Sequence, residues 1–316
     1  MRFGILGDAK IAREWVAPAI LAAGHQITCL GRRDSSSPSP HTLWQGIEQD
    51  SYDGLLARDD VDAVYIPLPN HLHVPWAIKA LEQGKHVLCE KPLALNRGEL
   101  TQLEQTARTS GCYLYEGFMV RYHPQWKWLS ELDIGTRQLV TAQFSYPPQP
   151  QGNIRNFAEM GGGPVWDIGC YCVLAGLMLF DGTPQLAGRI SVPESDLDVE
   201  KSASALLDFG NGQMLSMMVS SGVSLSQSVR VVGSDGWAEL DVPFNPPEVT
   251  TARWAHKDHG KEGLLSPGQE VRFDACNHYQ LMVEDFAEAC AQNRAPDFAD
   301  SFVLTDILGQ IVSSHS

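Results

Sequence analysis

The residues whose types could do chemistry fall into a few short stretches. Lys91 stands in Cys89-Glu90-Lys91-Pro92-Leu93, directly after the apolar run Val87-Leu88. A cation there can lower the pKa of a proton-transferring neighbour or polarise a carbonyl. Pro92 biases the residue before it towards an extended backbone, which holds Lys91 in place. Asp167 and Tyr171 stand four apart in Gly161-Gly162-Gly163-Pro164-Val165-Trp166-Asp167-Ile168-Gly169-Cys170-Tyr171. That spacing predicts one helix face carrying a carboxylate for hydroxyl groups and a phenol for acid–base work. If that face looks at Lys91, the three make a proton-transfer site; the plainer alternative is a structural Asp and Tyr.

Two further stretches read as cofactor chemistry. Gly7-Asp8-Ala9-Lys10-Ile11-Ala12 places G-x-A-x-x-A directly after a strand and at the opening of a helix. Small residues there let backbone amides approach a pyrophosphate, so this is a dinucleotide-type turn. Asp8 is discordant, because a carboxylate beside a pyrophosphate repels it unless it points away. The second strand ends in Gly31-Arg32-Arg33-Asp34. An acid at that strand end would favour the ribose hydroxyl of NAD. Two arginines favour the 2′-phosphate of NADP, with NAD, or a pair of solvated arginines, as the alternatives.

Pro67-Leu68-Pro69-Asn70-His71-Leu72-His73 leaves another strand at its carboxyl end, where ligands bind in doubly wound sheets. Asn70 reads as a helix N-cap. His71 and His73 are a poor metal pair at i, i+2 with no third ligand in reach, so no metal is expected. His256 and His259 read as solvated positions in a Lys/Gly-rich loop. The seven cysteines show no ligand spacing and read as buried reduced thiols.

These stretches need elements to hold them. Strand signals at 1–7, 26–31, 61–66 and 85–89 alternate with helical ones at 11–23, 71–83 and 96–109, and a Ser/Pro-rich loop, 35–40, leaves the second crossover short. The pattern predicts a Rossmann domain, a doubly wound parallel sheet, over 1–119. Runs at 138–146, 185–192, 202–209, 213–223 and 228–240, with one helix near 164–180, predict an α+β domain over 120–316 built on a large, open-faced, mostly antiparallel sheet. Helices near 276–292 and 300–314 follow. Apolar residues on both alternations, as in Met214-Leu215-Ser216-Met217-Met218-Val219, suggest a homodimer or higher homo-oligomer covering the open face; a sheet covered by its own chain is the alternative.

With 316 residues and 43% hydrophobic content, the chain can bury two ordinary cores. A net charge of −15 argues against nucleic-acid and anionic-membrane partners. No apolar run approaches the roughly 20 residues of a transmembrane helix, and the first residues read as a strand, not a signal peptide, so a cytoplasmic location is expected.

The ordered series GILGDAKIA, YIPLPNHLH, EKP, EGFMVRYHP and GGGPVWDIGCY resembles, over essentially the whole chain, the family of glucose–fructose oxidoreductase and inositol dehydrogenase (Gfo/Idh/MocA). The resemblance implies a Rossmann domain plus a sheet domain that oligomerises through its sheet. Tyr171 stands where many relatives carry histidine, so the chain looks more like the branch with dimeric dihydrodiol dehydrogenase, glucose–fructose oxidoreductase and NADP-linked xylose dehydrogenase. Carried over, Lys91 and Tyr171 are the catalytic pair and Asp167 orients a sugar, polyol or cyclic trans-diol substrate. Glu90, Glu116, Arg121, His123 and Arg155 match stretches that line the nicotinamide and substrate pocket. Departures are Asp8, Gly31 where relatives often have serine, and the short segment after Arg33. The expected activity is hydride transfer between nicotinamide and a carbinol or carbonyl carbon. A catalytically silent sensor of the same fold, and an enzyme that shuttles hydride between two sugars without releasing its cofactor, are the alternatives.

Overall fold

Four short apolar runs, with two more polar segments at the sheet edges, become six parallel strands. They are β1 (Arg2–Leu6), β2 (Gln26–Arg32), β3 (Glu48–Ser51), β4 (Ala63–Ile66), β5 (His86–Cys89) and β6 (Leu114–Glu116). The computed structural model describes residues 1–34, 37, 39–257 and 268–313. In it the sheet order is β3-β2-β1-β4-β5-β6, every pair parallel. The order reverses between β1 and β4, the point at which doubly wound sheets open a ligand crevice beyond the strand ends.

Helices α1 (Ala17–Ala22), α2 (Tyr52–Leu56), α3 (His73–Glu82) and α4 (Arg97–Ser110) connect the strands, with a π-helical turn at Ala12–Val16 before α1. Phe3, Ile5, Leu6, Val64, Ile66, Val87 and Leu88 are fully buried, as both-sided burial of a parallel sheet requires. Asn96 caps α4 by accepting from Glu99 N at 2.9 Å. The cap expected of Asn70 does not form: α3 starts at His73 after a 3₁₀ turn over Asn70–Leu72, which takes Asn70 into the turn itself.

The second sheet has eight strands, β7 (Arg137–Ser145), β8 (Gln185–Pro193), β9 (Glu200–Gly210), β10 (Gln213–Ser220), β11 (Ser226–Gly233), β12 (Gly236–Leu240), β13 (Thr250–His256) and β14 (Gln269–Phe273). Their order is β14-β13-β12-β11-β7-β10-β9-β8, and only the β7–β10 pair is parallel. Helix α5 (Pro124–Glu131) precedes it, and α6 (Cys170–Leu179) packs on one face. Gly176 permits that approach: a Cβ there would sit 2.8 Å from Phe209 Cζ and 3.1 Å from Leu215 Cδ2. The other face exposes Leu139, Ile190, Val192 and Met218.

Strands β3, β6, β13 and β14 and helix α5 carry too few apolar residues in period to be read in advance. His256 ends strand β13 and does not sit in a loop, while His259, Ser35, Ser36 and Pro38 lie outside the described residues. One helical run, 158–179, is long and apolar enough to cross a membrane, contrary to the expectation from composition. It is 83% buried within the protein, as a core helix is. All seven cysteines are free, Cys276 alone being only half-buried.

The chain divides into two units, Met1–Met119 with Asn277–Phe302, and Val120–Cys276 with Val303–Ser316. Helix α7 (His278–Ala291), which the sequence pattern groups with residues 120–316, therefore belongs to the first unit; the boundary falls inside α8 (Ala299–Val312). The reason is aromatic packing: Phe286 lies 6.0 Å from the Phe3 ring and 5.8 Å from Tyr113, and Tyr279 stacks on Trp15 at 5.6 Å. Phe286→Ala is expected to destabilise the first unit by about 3–5 kcal/mol, measured as a fall in the urea midpoint of that unit's transition. An unchanged midpoint would remove α7 from its core.

Candidate active site

In the first unit, Gly7 closes β1 at φ +115°, and a Cβ there would meet Leu68 Cδ2 at 3.0 Å. Only glycine fits both the backbone and the space. The turn that follows has the shape into which a pyrophosphate can be drawn by backbone amides, so these residues fit a dinucleotide. Asp8 does not oppose it with a bare charge. Its carboxylate accepts from Arg13 at 2.9 Å, Trp44 Nε1 at 2.8 Å and Ser39 Oγ at 2.5 Å. Partial burial works against ionisation, yet these three donors outweigh it and hold the carboxyl below its usual value.

Ala9 and Ile11 are half-buried in the turn, and Lys10 is exposed, 3.7 Å from Glu14. Ala12, counted above with the cofactor residues, is fully buried; its small side chain serves close helix–sheet packing instead. Arg32, half-buried, donates to the Ser37 carbonyl, and Arg33 is exposed. Sequence reading missed Tyr52. Its hydroxyl lies 3.8 Å from where a Gly7 Cβ would stand. Burial raises its pKa while Arg33 and Arg32 pull it down, so both arginines reach this phenol electrostatically. Gly31 makes the room, since a Cβ there would sit 3.1 Å from Tyr52 Cδ1 and 2.9 Å from Leu6 Cδ2. The signal available in advance was Gly31 itself.

Lys91 is half-buried after β5, and its peptide bond to Pro92 is cis. The chain around it is braced from several sides. Glu90 N donates to Ile66 O at 3.1 Å, and Glu90 Oε1 accepts from the buried Tyr65 hydroxyl at 2.7 Å. Leu93 N donates to Glu116 Oε1 at 2.8 Å, and Ser301 Oγ donates to Glu116 Oε2 at 2.5 Å. His73 closes the arrangement: its ring nitrogens lie 2.8 Å from Pro92 O and 2.8 Å from Leu68 O.

These contacts correct two expectations. His73 is fully buried with both nitrogens at backbone carbonyls, so it braces the loops that surround a cofactor and does not touch one. Glu116 is likewise buried and supports the Lys91 segment from beneath. Pro67 and Leu68 are buried in the same loop, while Asn70 and His71 are half-buried.

In the second unit, Arg155 Nε lies 2.5 Å from Asp167 Oδ2. Asp167 raises the Arg155 pKa, burial opposes it, and the phenols of Tyr146 and Tyr171 add to the rise. The fold therefore brings Arg155, Asp167 and Tyr171 into one electrostatic cluster. Asp167 sits in a π-helical turn, Val165–Gly169, that leads into α6. The Tyr171 ring packs 5.5 Å from Phe244 and 5.9 Å from Phe144 and is 6% exposed. Arg121 is half-buried in a 3₁₀ turn, Met119–Tyr122. His123 has a structural role that the sequence did not show. It is 1% exposed, and its Nδ1 accepts from Gln125 N at 3.2 Å, which makes it the N-cap of α5 through that nitrogen. Burial pushes it down to about 4.

Comparison with known proteins shows similarity over both units. A model described as the oxidoreductase family, NAD-binding Rossmann fold, matches residues 1–118, and the GFO/IDH/MocA C-terminal domain matches residues 126–239. The chain is 34% identical to D-xylose 1-dehydrogenase (NADP(+)) 2 of Haloferax volcanii, over 94% of this chain and 91% of that protein. It is 26% identical to trans-1,2-dihydrobenzene-1,2-diol dehydrogenase of Xenopus laevis, over 98% of each. Among solved structures, a 3-ketoreductase from Actinomadura kijaniata in complex with NADP and TDP-benzene superposes with a TM-score of 0.89 at 31% identity, covering 98% of this chain and 96% of that one.

Burial holds His73 at about 4, against 6.5 for a free histidine, with the two carbonyls opposing the shift. The unfolded chain therefore binds this proton first as pH falls. Stability is complete above pH 6.5 and drains away towards pH 4, by at most about 1.4 kcal/mol per pH unit from this group. Urea titrations at pH 6.5 and 5 are expected to show a smaller loss in His73→Asn than in the wild type. Equal losses would mean that His73 does not titrate there.

Proposed function

The chain belongs to the GFO/IDH/MocA family of oxidoreductases, and we propose from that premise that it transfers a hydride between NADP and a carbinol or carbonyl carbon of a sugar, polyol or cyclic trans-diol. The observation that carries the reading is the bracing of the Lys91 segment: buried groups from three elements hold a lysine at a strand's carboxyl end. Order of that kind is what a catalytic ammonium needs and what a solvated lysine does not.

Gly7, Asp8, Ala9, Lys10 and Ile11 form the pyrophosphate turn, and Arg32 and Arg33 take the 2′-phosphate. An NADP(+)-linked xylose dehydrogenase and a ketoreductase solved with NADP, both similar to this chain, support that preference. Pro67, Leu68, Asn70, His71, Glu90 and Arg121 are assigned to the rest of the cofactor. When bound, the nicotinamide ring accepts or supplies the hydride. Tyr171 Oη takes the proton of the substrate hydroxyl on oxidation and returns it on reduction. Lys91 Nζ stabilises the tyrosinate and holds the reacting oxygen. Arg155 and Asp167 are already charge-matched to one another, so they can present hydrogen bonds to neighbouring hydroxyls without leaving a net charge on a neutral substrate.

The reading as a silent sensor draws no support from the relatives, which are dehydrogenases and reductases. The exposed Leu139, Ile190, Val192 and Met218 on the sheet support a homo-oligomer through that face. The free thiols fit a reducing, cytoplasmic compartment.

Lys91→Ala and Tyr171→Phe are each expected to lower kcat by at least about 100-fold, with NADPH binding retained. The double variant should lose little more than either single one, because the two groups act on one proton transfer. The assay is NADPH absorbance over a panel of sugars and diols. Wild-type turnover in either variant, or fully additive losses, would refute the pair.

A further inference from the structure

Asp8 is the residue at which this chain departs from a simple dinucleotide turn, and its contacts give the departure a purpose. Oδ1 accepts from Arg13 and from Trp44 Nε1, and Oδ2 accepts from Ser39 Oγ. Arg13 also donates to the Asp8 main-chain carbonyl. Trp44 is 1% exposed and Ser39 is buried, so these bonds lie largely out of water. Ser39 N in turn donates to Gln49 Oε1, in β3, at 2.8 Å. One carboxylate thus joins the turn after β1, the π-helical turn that carries Arg13, and the connection from β2 to β3.

That connection leaves β2 through Arg32 and Arg33 and is caught again at Ser39 and Trp44. Arginines whose position is set before a ligand arrives lose less conformational freedom on engaging it, and Ser39 and Trp44 are held in place on the far side of Arg32 and Arg33. The carboxylate itself is satisfied by one cation and two neutral donors, which leaves little reason for it to face a phosphate. A residue so occupied acts on a ligand through its neighbours.

We propose that Asp8 is the positioning residue of the NADP 2′-phosphate site: it pins the Ser39–Trp44 end of the β2–β3 connection and so preorganises Arg32 and Arg33, without its carboxylate touching the cofactor. The proposal rests on the assignment of those arginines to the 2′-phosphate. It makes a prediction opposite in sign to direct electrostatics. Deleting a negative charge beside a pyrophosphate should tighten NADP+ and NAD+ alike, whereas releasing the connection should weaken NADP+ selectively.

The test measures NADP+ and NAD+ dissociation constants by calorimetry for the wild type, Asp8→Ala, Ser39→Ala and the double variant. In parallel, the Trp44 emission is read without nucleotide, as the difference between each protein and its Trp44→Phe counterpart. Asp8→Ala is expected to lose about tenfold or more in NADP+ affinity, since a lost charge-assisted bond is of that size, with NAD+ changed less than about threefold. Ser39→Ala should move the same way by less, and the double variant should be no weaker than Asp8→Ala. The Trp44 emission should shift to the red in Asp8→Ala as the ring meets water. Unchanged or tighter NADP+ binding, equal losses for both nucleotides, or an unmoved Trp44 emission overturns the proposal. If Asp8→Ala does not fold, Ser39→Ala decides by the same criteria. A wild type that binds NAD+ and NADP+ equally would show instead that the 2′-phosphate assignment has failed, before any variant is compared.

Discussion

Loops at the carboxyl ends of a parallel sheet must satisfy their backbone groups without the help of another strand, and the first unit depends on how that requirement is met. Beyond β1, β4 and β5 the chain turns away from the ladder, and its carbonyls and amides would be costly to bury unpaired. Buried side chains take up the task. His73 lies against Leu68 O and Pro92 O, and Glu116 receives Leu93 N; half-buried Asp8 ties side chains together in the same way, receiving Arg13, Trp44 and Ser39. Polar groups paired in a low dielectric hold these loops stiffly, and stiffness there is what a hydride-transfer site needs.

The same requirement explains why ligand-binding residue types were partly misassigned. His73, Glu116 and His123 are the kinds of residue that hold cofactors and substrates, and each stands in a motif near the expected site. Each is engaged by the protein's own backbone, and Glu116 by the Ser301 hydroxyl as well. Hydrogen-bonding capacity does not say whether the partner will be a ligand or a carbonyl two loops away. Only the surroundings decide. Tyr52 is the converse case: an ordinary-looking aromatic in a short helix, carried beside Gly7 because Gly31 has no side chain to exclude it.

The second unit solves a different problem. Its sheet buries one face under α6, and the approach is close enough that Gly176 has no room for a Cβ. The helix opens with a π-helical turn, and the Arg155–Asp167 pair sits at that opening, a few residues before Tyr171 enters its aromatic packing with Phe144 and Phe244. A charged pair, a phenol and an apolar wall are thereby combined on one short stretch. The opposite face of the sheet keeps its exposed apolar residues.

By itself the sequence determined the class of both folds, the strand–turn–helix at Gly7, the strand ends before Pro67 and Lys91, and the family, because these follow from local periodicity and from motifs a few residues long. It did not determine that α7 joins the first unit, since that depends on Phe286 meeting Phe3 and Tyr113 across more than 170 positions of chain. Nor did it show that Asp8 is neutralised, or that His73 and His123 are sealed. Those outcomes are set by which groups the tertiary packing brings within about 3 Å, and hydrogen bonding at that range leaves no trace in the spacing of residues along the chain.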